Sequence, residues 1–171
     1  VARRIDYLAK CGVEFKLGVT VGHDVSLAEV RRTHDAIFLG HGAQKAKTAG
    51  VPGENLRGVE QALPFLIQKN VASELVDLPP IDVAGKRVAV LGGGDTAMDC
   101  LRTTIRLGGA HVTCMYRRSE AEQKGRKEER NHATEEGADF MYLTLPTKLS
   151  GENGHVTAAE CVRMQLGAPD E

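Results

Sequence analysis

Between Lys86 and Arg118 the chain carries residues whose types and spacing suit one task, the holding of a phosphorylated ligand. Gly92-Gly93-Gly94-Asp95-Thr96-Ala97 puts Gly92, Gly94 and Ala97 at the three fixed positions of a G-x-G-x-x-A fingerprint. Gly92 permits a turn too tight for a side chain, and Gly94 lets the backbone approach a pyrophosphate with no β-carbon in the way. Ala97 keeps the following helix close to the preceding strand. The amides from Gly94 to Ala97, at the positive end of that helix, would then face the anion. About twenty residues beyond such glycines, a dinucleotide lacking a 2′-phosphate is usually met by an acidic residue. This chain has Arg117 and Arg118 there, followed by Arg126 and Lys127. Guanidinium forks suit a phosphate dianion, so the expected cofactor is NADP(H). A glycine turn can be only a turn and a basic edge only a solvated surface, so the reading depends on the elements around them.

Those elements have the required order. Lys86-Arg-Val-Ala-Val-Leu91 is a short apolar run with β-branched residues, the pattern of a strand buried in a parallel sheet. Ala97, Met98, Leu101, Ile105 and Gly108 recur at helical spacing, with Arg102 and Arg106 off that stripe, and Gly108-Gly109 ends the helix. His111-Val-Thr-Cys-Met-Tyr116 is a second strand, which completes β-α-β within the roughly thirty residues such a unit takes. Asp95 could cap the helix or face the nicotinamide side of a ligand, and Asp99 could pair with Arg102 across one turn.

The flanking chain predicts further elements. A helix over Val1 to Lys10 stops at Gly12, and the alternation of Val13, Phe15 and Leu17 predicts a strand continuing through Val21. Ser26-Leu-Ala-Glu29 is a capping box opening a short helix to about Arg32. Asp35 to Leu39 is an apolar strand candidate ending in Gly40-His-Gly-Ala43, where Gly40 and Gly42 permit close approach by a ligand or by the chain itself. A loop with Pro52-Gly53 at its turn leads to a helix over Val59 to Asn70, with Pro64 in its first turn. Pro79-Pro80 marks the best linker, and the domain boundary is placed there: residues 1–75 as one part and 76–171 as the fingerprint domain. Beyond Arg118 the pattern gives a loop from Ser119 to Gly125, a charged helix from Arg126 to Glu136, a strand around Phe140 and Tyr142, and a hairpin about Glu152-Asn-Gly154. The fold class is α/β, a Rossmann-type parallel sheet with flanking helices on both sides and an added β-hairpin.

Composition excludes several function classes. With 171 residues, 42% hydrophobic and 26% charged, the chain is ordinary for a globular protein, and a formal charge of -1 gives no general attraction to nucleic acid or an anionic membrane. No apolar run approaches a membrane span and no signal peptide is evident, so the expected location is the cytoplasm. Cys11, Cys100, Cys114 and Cys161 are scattered without C-x-x-C, which argues for core thiols rather than a redox dithiol, a zinc site or an iron-sulfur ligand set. The six histidines never pair at i and i+4, and no residue presents itself as a catalytic acid, base or nucleophile.

Taken together, Ile5-Asp-Tyr-Leu8, Gly12-Val-Glu-Phe15, Gly40-His-Gly-Ala43, Val51-Pro-Gly-Glu54, Gly92-Gly-Gly-Asp-Thr-Ala-Met-Asp99, Tyr116-Arg-Arg118 and Arg126-Lys-Glu-Glu129 resemble the small (beta) subunit of NADPH-dependent glutamate synthase. Dihydropyrimidine dehydrogenase and NADH-dependent ferredoxin:NADP oxidoreductase share this module. The resemblance implies hydride transfer from NADPH to FAD, with electrons passing through iron-sulfur clusters, not ligated by this chain, to a large subunit that makes glutamate from glutamine and 2-oxoglutarate. It also implies that residues 1–75 belong to a flavin-binding half, with Gly40 and Gly42 beside the flavin, and that the fragment alone is inactive. Two stretches depart from the family pattern: His41 stands where members usually carry a small hydroxyl residue, and Gln123-Lys-Gly125 replaces a more usual Met-Pro-Ala. A rival of another class is an NADPH-binding module without chemistry.

Overall fold

The computed structural model describes residues 1–43, 45–71 and 77–168. The chain forms two compact units, Val1–Gly42 and Ala43–Glu171. The expected boundary at 75/76 falls on residues 72–76, which lie outside those described.

The first unit contains two helices, α1 (Ala2–Lys10) and α2 (Leu27–Thr33). The helix α1 is closed by Gly12, whose φ of 94° only glycine adopts without strain. At the start of α2 the expected capping box is complete: the Glu29 amide donates to Ser26 Oγ at 3.1 Å and the Ser26 amide donates to Glu29 Oε2 at 2.9 Å. The two strands expected here, through Val13 to Val21 and Asp35 to Leu39, are not formed; both stretches are irregular apart from a bridge between Val21 and Val25. Alternating apolar residues make a strand only where a neighbouring strand exchanges hydrogen bonds with it, and none of the described residues does so. Phe15, Leu17, Phe38 and Leu39 are accordingly exposed.

The second unit holds the fingerprint. Parallel strands β1 (Arg87–Leu91), β2 (His111–Tyr116) and β3 (Asp139–Tyr142) form a sheet in that order, with Val90 opposite Cys114 and Cys114 opposite Phe140. Helices α3 (Ala62–Asn70), α4 (Asp95–Arg106) and α5 (Lys127–Glu135) pack on the sheet face that carries Val88, Val90, Val112, Cys114 and Phe140. The helix α3 starts at Ala62 rather than Val59, with Pro64 in its first turn as expected. Met98, Leu101 and Cys114 are completely buried at the centre, and burying a side chain such as Leu101 stabilises the unit by about 1.5–3 kcal/mol. The strand β1 was expected to be covered on both faces. Within the second unit α3, α4 and α5 all lie on one face, and Leu91 and Met141 on the other are exposed.

Leu143, at φ 50°, turns the chain out of the parallel sheet into an antiparallel hairpin of β4 (Thr144–Glu152) and β5 (His155–Arg163). Its turn is Asn153-Gly154, both at positive φ, the geometry that matches the twist of two-residue hairpins. The loop before α3 docks on this hairpin: the Leu149 amide donates to the Pro52 carbonyl at 2.8 Å, and Arg57 bridges His155.

Candidate functional site

The fingerprint turn joins β1 to α4. Gly92 has φ 138°, in the region open to glycine, and its amide donates to the Met115 carbonyl of β2. Gly94 is the N-cap of α4, and a β-carbon placed on it would meet nothing within 4 Å. The amides of Gly94, Asp95 and Thr96 donate to no acceptor among the described residues. An open backbone face with free amides at a helix N-terminus is an arrangement that can hold an anion. Ala97, 8% exposed, packs into the core and holds the helix against the sheet.

Gly93 has a different role. Its β-carbon would stand 2.8 Å from the Tyr116 ring and 3.0 Å from Gln123, so glycine is needed there for packing inside the protein. Beneath the turn, the buried Cys114 thiol donates to the Gly92 carbonyl at 3.1 Å. Burial pushes this thiol up to about 11, and burial together with Asp99 does the same to Cys100, so both remain protonated at neutral pH. These two are the expected core thiols. Cys11 and Cys161 are exposed instead, and all four are unbridged.

From Ser119 to Arg126 the chain forms a strap across the turn. It contains a short 3₁₀ turn, Glu120–Glu122, whose capping box links Ser119 and Glu122. The hydrogen bonds to Ser119 hold the Glu122 carboxyl below its usual range. Tyr116 Oη donates to the Glu122 carbonyl at 3.0 Å, and Gln123 Oε1 accepts from Tyr142 Oη at 3.0 Å. Further along, the Gly125 amide donates to the Gly93 carbonyl at 2.8 Å, and the Arg126 amide donates to Asp95 Oδ1 at 2.8 Å. Asp95 therefore does not cap α4: its carboxylate receives the strap, with Arg126 Nε as a second donor at 3.3 Å. Sequence reasoning missed this clasp, since the two residues lie 31 positions apart and only the fold brings them together.

The four basic candidates are in different states. Arg117 and Arg118 follow β2 directly; Arg117 is exposed, Arg118 is half-buried, and neither forms an ion pair with a described residue. The Arg118 carbonyl accepts the Leu143 amide at 3.0 Å, which fixes its backbone. Arg126 is paired with Asp95 at 3.3 Å and Glu129 at 3.5 Å. Lys127 is exposed at the start of α5, beside an open groove of about 510 Å³ that Ser119, Gln123, Gly125 and Arg130 also line. Arg102 does not pair with Asp99. It bridges Glu129 at 2.6 Å and Glu136 at 2.9 Å, and Arg106 joins Glu136 at 2.6 Å, so that α4 and α5 are tied together. Gly40 and Gly42 lie in the exposed segment that closes the first unit, with Gly42 at φ 65°. No group of potential metal ligands occurs among the described residues, and no described helix is long and apolar enough to cross a membrane.

The model of the pyridine nucleotide-disulphide oxidoreductase family matches residues 4–167. The chain is 46% identical to the putative oxidoreductase AegA of Escherichia coli over 99% of its length, covering 27% of that protein. It is 42% identical to the small chain of NADPH glutamate synthase from the same organism, again over 99% of its length, covering 37% of that chain. Beta subunits of an NADPH-Fe(3+) oxidoreductase from Geobacter sulfurreducens are 40% identical over 98% of the chain, which covers 25% of them. The chain thus spans roughly a quarter to two-fifths of these relatives. Among solved structures, FprA of Mycobacterium tuberculosis in complex with NADPH superposes with a TM-score of 0.64 at 18% identity, over 86% of this chain and 52% of that one. Thioredoxin reductase of Lactococcus lactis gives 0.54 at 18% identity, over 72% of this chain and 37% of that one. At such identities the likeness is one of fold.

Proposed function

Because the chain belongs to the pyridine nucleotide-disulphide oxidoreductase family, we propose that it is the NADPH-binding portion of a flavin-dependent oxidoreductase of the glutamate synthase small-subunit kind. The observation that carries the proposal is the opening at Gly94: amides at the start of α4 with no acceptor among the described residues, space where a β-carbon would stand, and, at the end of the adjacent strand, Arg117 and Arg118, which form no ion pair within 4 Å among the described residues. When bound, NADPH supplies the hydride and FAD accepts it. The protein's part is binding and orientation. Gly94, Asp95 and Thr96 hold the pyrophosphate through their amides, Gly92 and Gly93 shape the turn, and Ala97 keeps α4 close. Arg117 and Arg118 hold the 2′-phosphate, with Arg126 and Lys127 beside them.

Residues 1–75 contribute part of the flavin-binding half, with Gly40 and Gly42 at the flavin. Electrons leave through iron-sulfur clusters ligated outside this chain and reach a large subunit, where glutamine and 2-oxoglutarate yield glutamate. Similarity of 41–44% to glutamate synthase small chains from several bacteria, one of them named as putative, supports this acceptor. Oxidoreductases under other names are comparably similar, which favours as a second reading the same module serving a different acceptor.

Calorimetric titration of NADPH and NADH into the parent chain and its R117A/R118A variant tests the cofactor assignment. Each charge-assisted hydrogen bond contributes about 1.5–3 kcal/mol, so the variant should lose at least about tenfold in NADPH affinity. NADH binding should hardly change, and added salt should weaken NADPH binding more than NADH binding in the parent. Equal losses for the two nucleotides would remove the basis for NADP. The acceptor is tested separately, by glutamine-dependent NADPH oxidation with the small-subunit polypeptide that carries this chain and its large subunit.

A further inference from the structure

The strap from Ser119 to Arg126 has basic residues at both ends: Arg117 and Arg118 just before it and Arg126 as its last residue. At its start the backbone is fixed, since the Arg118 carbonyl accepts the Leu143 amide at 3.0 Å. At its finish the only side chain that takes hold of Arg126 from the fingerprint turn is Asp95, which accepts both the Arg126 amide and its Nε. Glu129, one turn into α5, holds the other side of the same guanidinium at 3.5 Å. We propose that Asp95 is a positioning residue for cofactor choice: it fastens the strap to the fingerprint turn and so sets the spacing of the guanidinium groups that distinguish NADPH from NADH. The inference rests on the NADPH reading above.

Geometry and energetics both support the assignment. The Asp95 and Arg126 side chains are 48% and 67% exposed, and an exposed ion pair contributes little to stability. A two-point clasp on one exposed arginine therefore does more for orientation than for folding. It also sets a carboxylate against a guanidinium next to the free amides of α4, so that its charge does not oppose an anion there. A second pin lies one residue earlier. A β-carbon on Gly125 would stand 3.0 Å from the Gly93 carbonyl oxygen and 3.3 Å from the Gly94 carbonyl carbon, so the strap lies directly on the turn and a branched side chain there would lift it away.

Three variants of the whole chain test the inference by titration with NADPH and with NADH, with circular dichroism to establish that each is folded. D95A removes both acceptors and should raise the Kd for NADPH about tenfold or more while changing that for NADH less than about twofold. D95N keeps one amide oxygen for the Arg126 N–H and should stay within about threefold of the parent. G125V attacks the other pin and should narrow the same preference, which keeps the inference testable if D95A does not fold. A role confined to the fold would lower the melting temperature and leave the preference intact. A parent that prefers NADPH together with a D95A protein that keeps this preference, or loses both nucleotides equally, would overturn the inference alone. A parent that binds neither nucleotide would overturn the NADPH reading and the inference with it.

Discussion

Gly93 and Gly94 are adjacent, yet a β-carbon would meet a tyrosine ring at one and empty space at the other. The same substitution should therefore fail in two different ways. Gly94→Val puts atoms where the pyrophosphate is proposed to lie and touches nothing in the free protein. It should keep the parent's melting temperature while abolishing measurable binding of both nucleotides. Gly93→Val drives side-chain atoms into Tyr116 and Gln123, and overpacking of that kind costs about 1–3 kcal/mol, so it should lower the melting temperature. Thermal denaturation beside calorimetry separates the two, and a folded Gly94→Val protein with parental affinity would take the turn out of the binding site. The glycine spacing was legible in the sequence because the fingerprint is local. The division of labour between neighbours was not, because Tyr116 and Gln123 reach Gly93 only through tertiary packing. Asp95 illustrates the same limit: an acid at a helix start reads as a cap, and its actual partner comes from a loop far along the chain.

At the scale of elements, α4 and α5 are joined by an alternating line of charge, Glu129, Arg102, Glu136 and Arg106. Hydrogen bonds from Arg102 and then from Arg106 hold the Glu136 carboxyl below its ordinary value of 4.5. A carboxyl whose folded value is depressed contributes stability that is present above its unfolded value and is lost as the pH falls through the folded one. Glu136→Gln should thus be less stable than the parent at neutral pH, and the difference should shrink as the pH drops below about 4.5. Melting temperatures from neutral pH into the acid range provide the check; a constant difference between the two proteins would show that Glu136 is not the titrating group. The helix α5 was legible as charged with little apolar face, and it buries only Ala133. Its attachment by ion pairs could not be read, since Arg102 has an acid closer in sequence, Asp99, that it does not use. Elements with local signals were read well: the Ser26 capping box, the Asn153-Gly154 turn and the β-α-β order. The strands of the first unit were misplaced because alternation reports which faces could be buried and says nothing of whether a partner strand is there.

For the whole molecule, the two units differ in what they can hold. The second unit buries two apolar clusters that both pack on Val90 and carries the open turn, while the described residues of Val1–Gly42 include none that is buried. A flavin site is a concave, mostly apolar enclosure, and side chains as exposed as Phe38, at 94%, and Leu17, at 86%, do not build one. Expressed as these 171 residues, the protein should therefore purify colourless, bind NADPH, and fail to pass its hydride to an artificial acceptor dye. Adding FAD should not restore that activity, because added cofactor supplies the reacting ring but not the walls that place it against the nicotinamide. An absorption spectrum of the purified chain and a dye-reduction assay with and without FAD are sufficient. On the proposed function, a small chain of the glutamate synthase kind that includes these residues should be yellow and active in the same assay, and replacing Gly94 with Val in it should abolish NADPH oxidation while leaving the flavin absorption unchanged. A yellow, active 171-residue chain would instead mean that Val1–Gly42 closes around FAD, and its exposed apolar residues would then be the flavin's contacts.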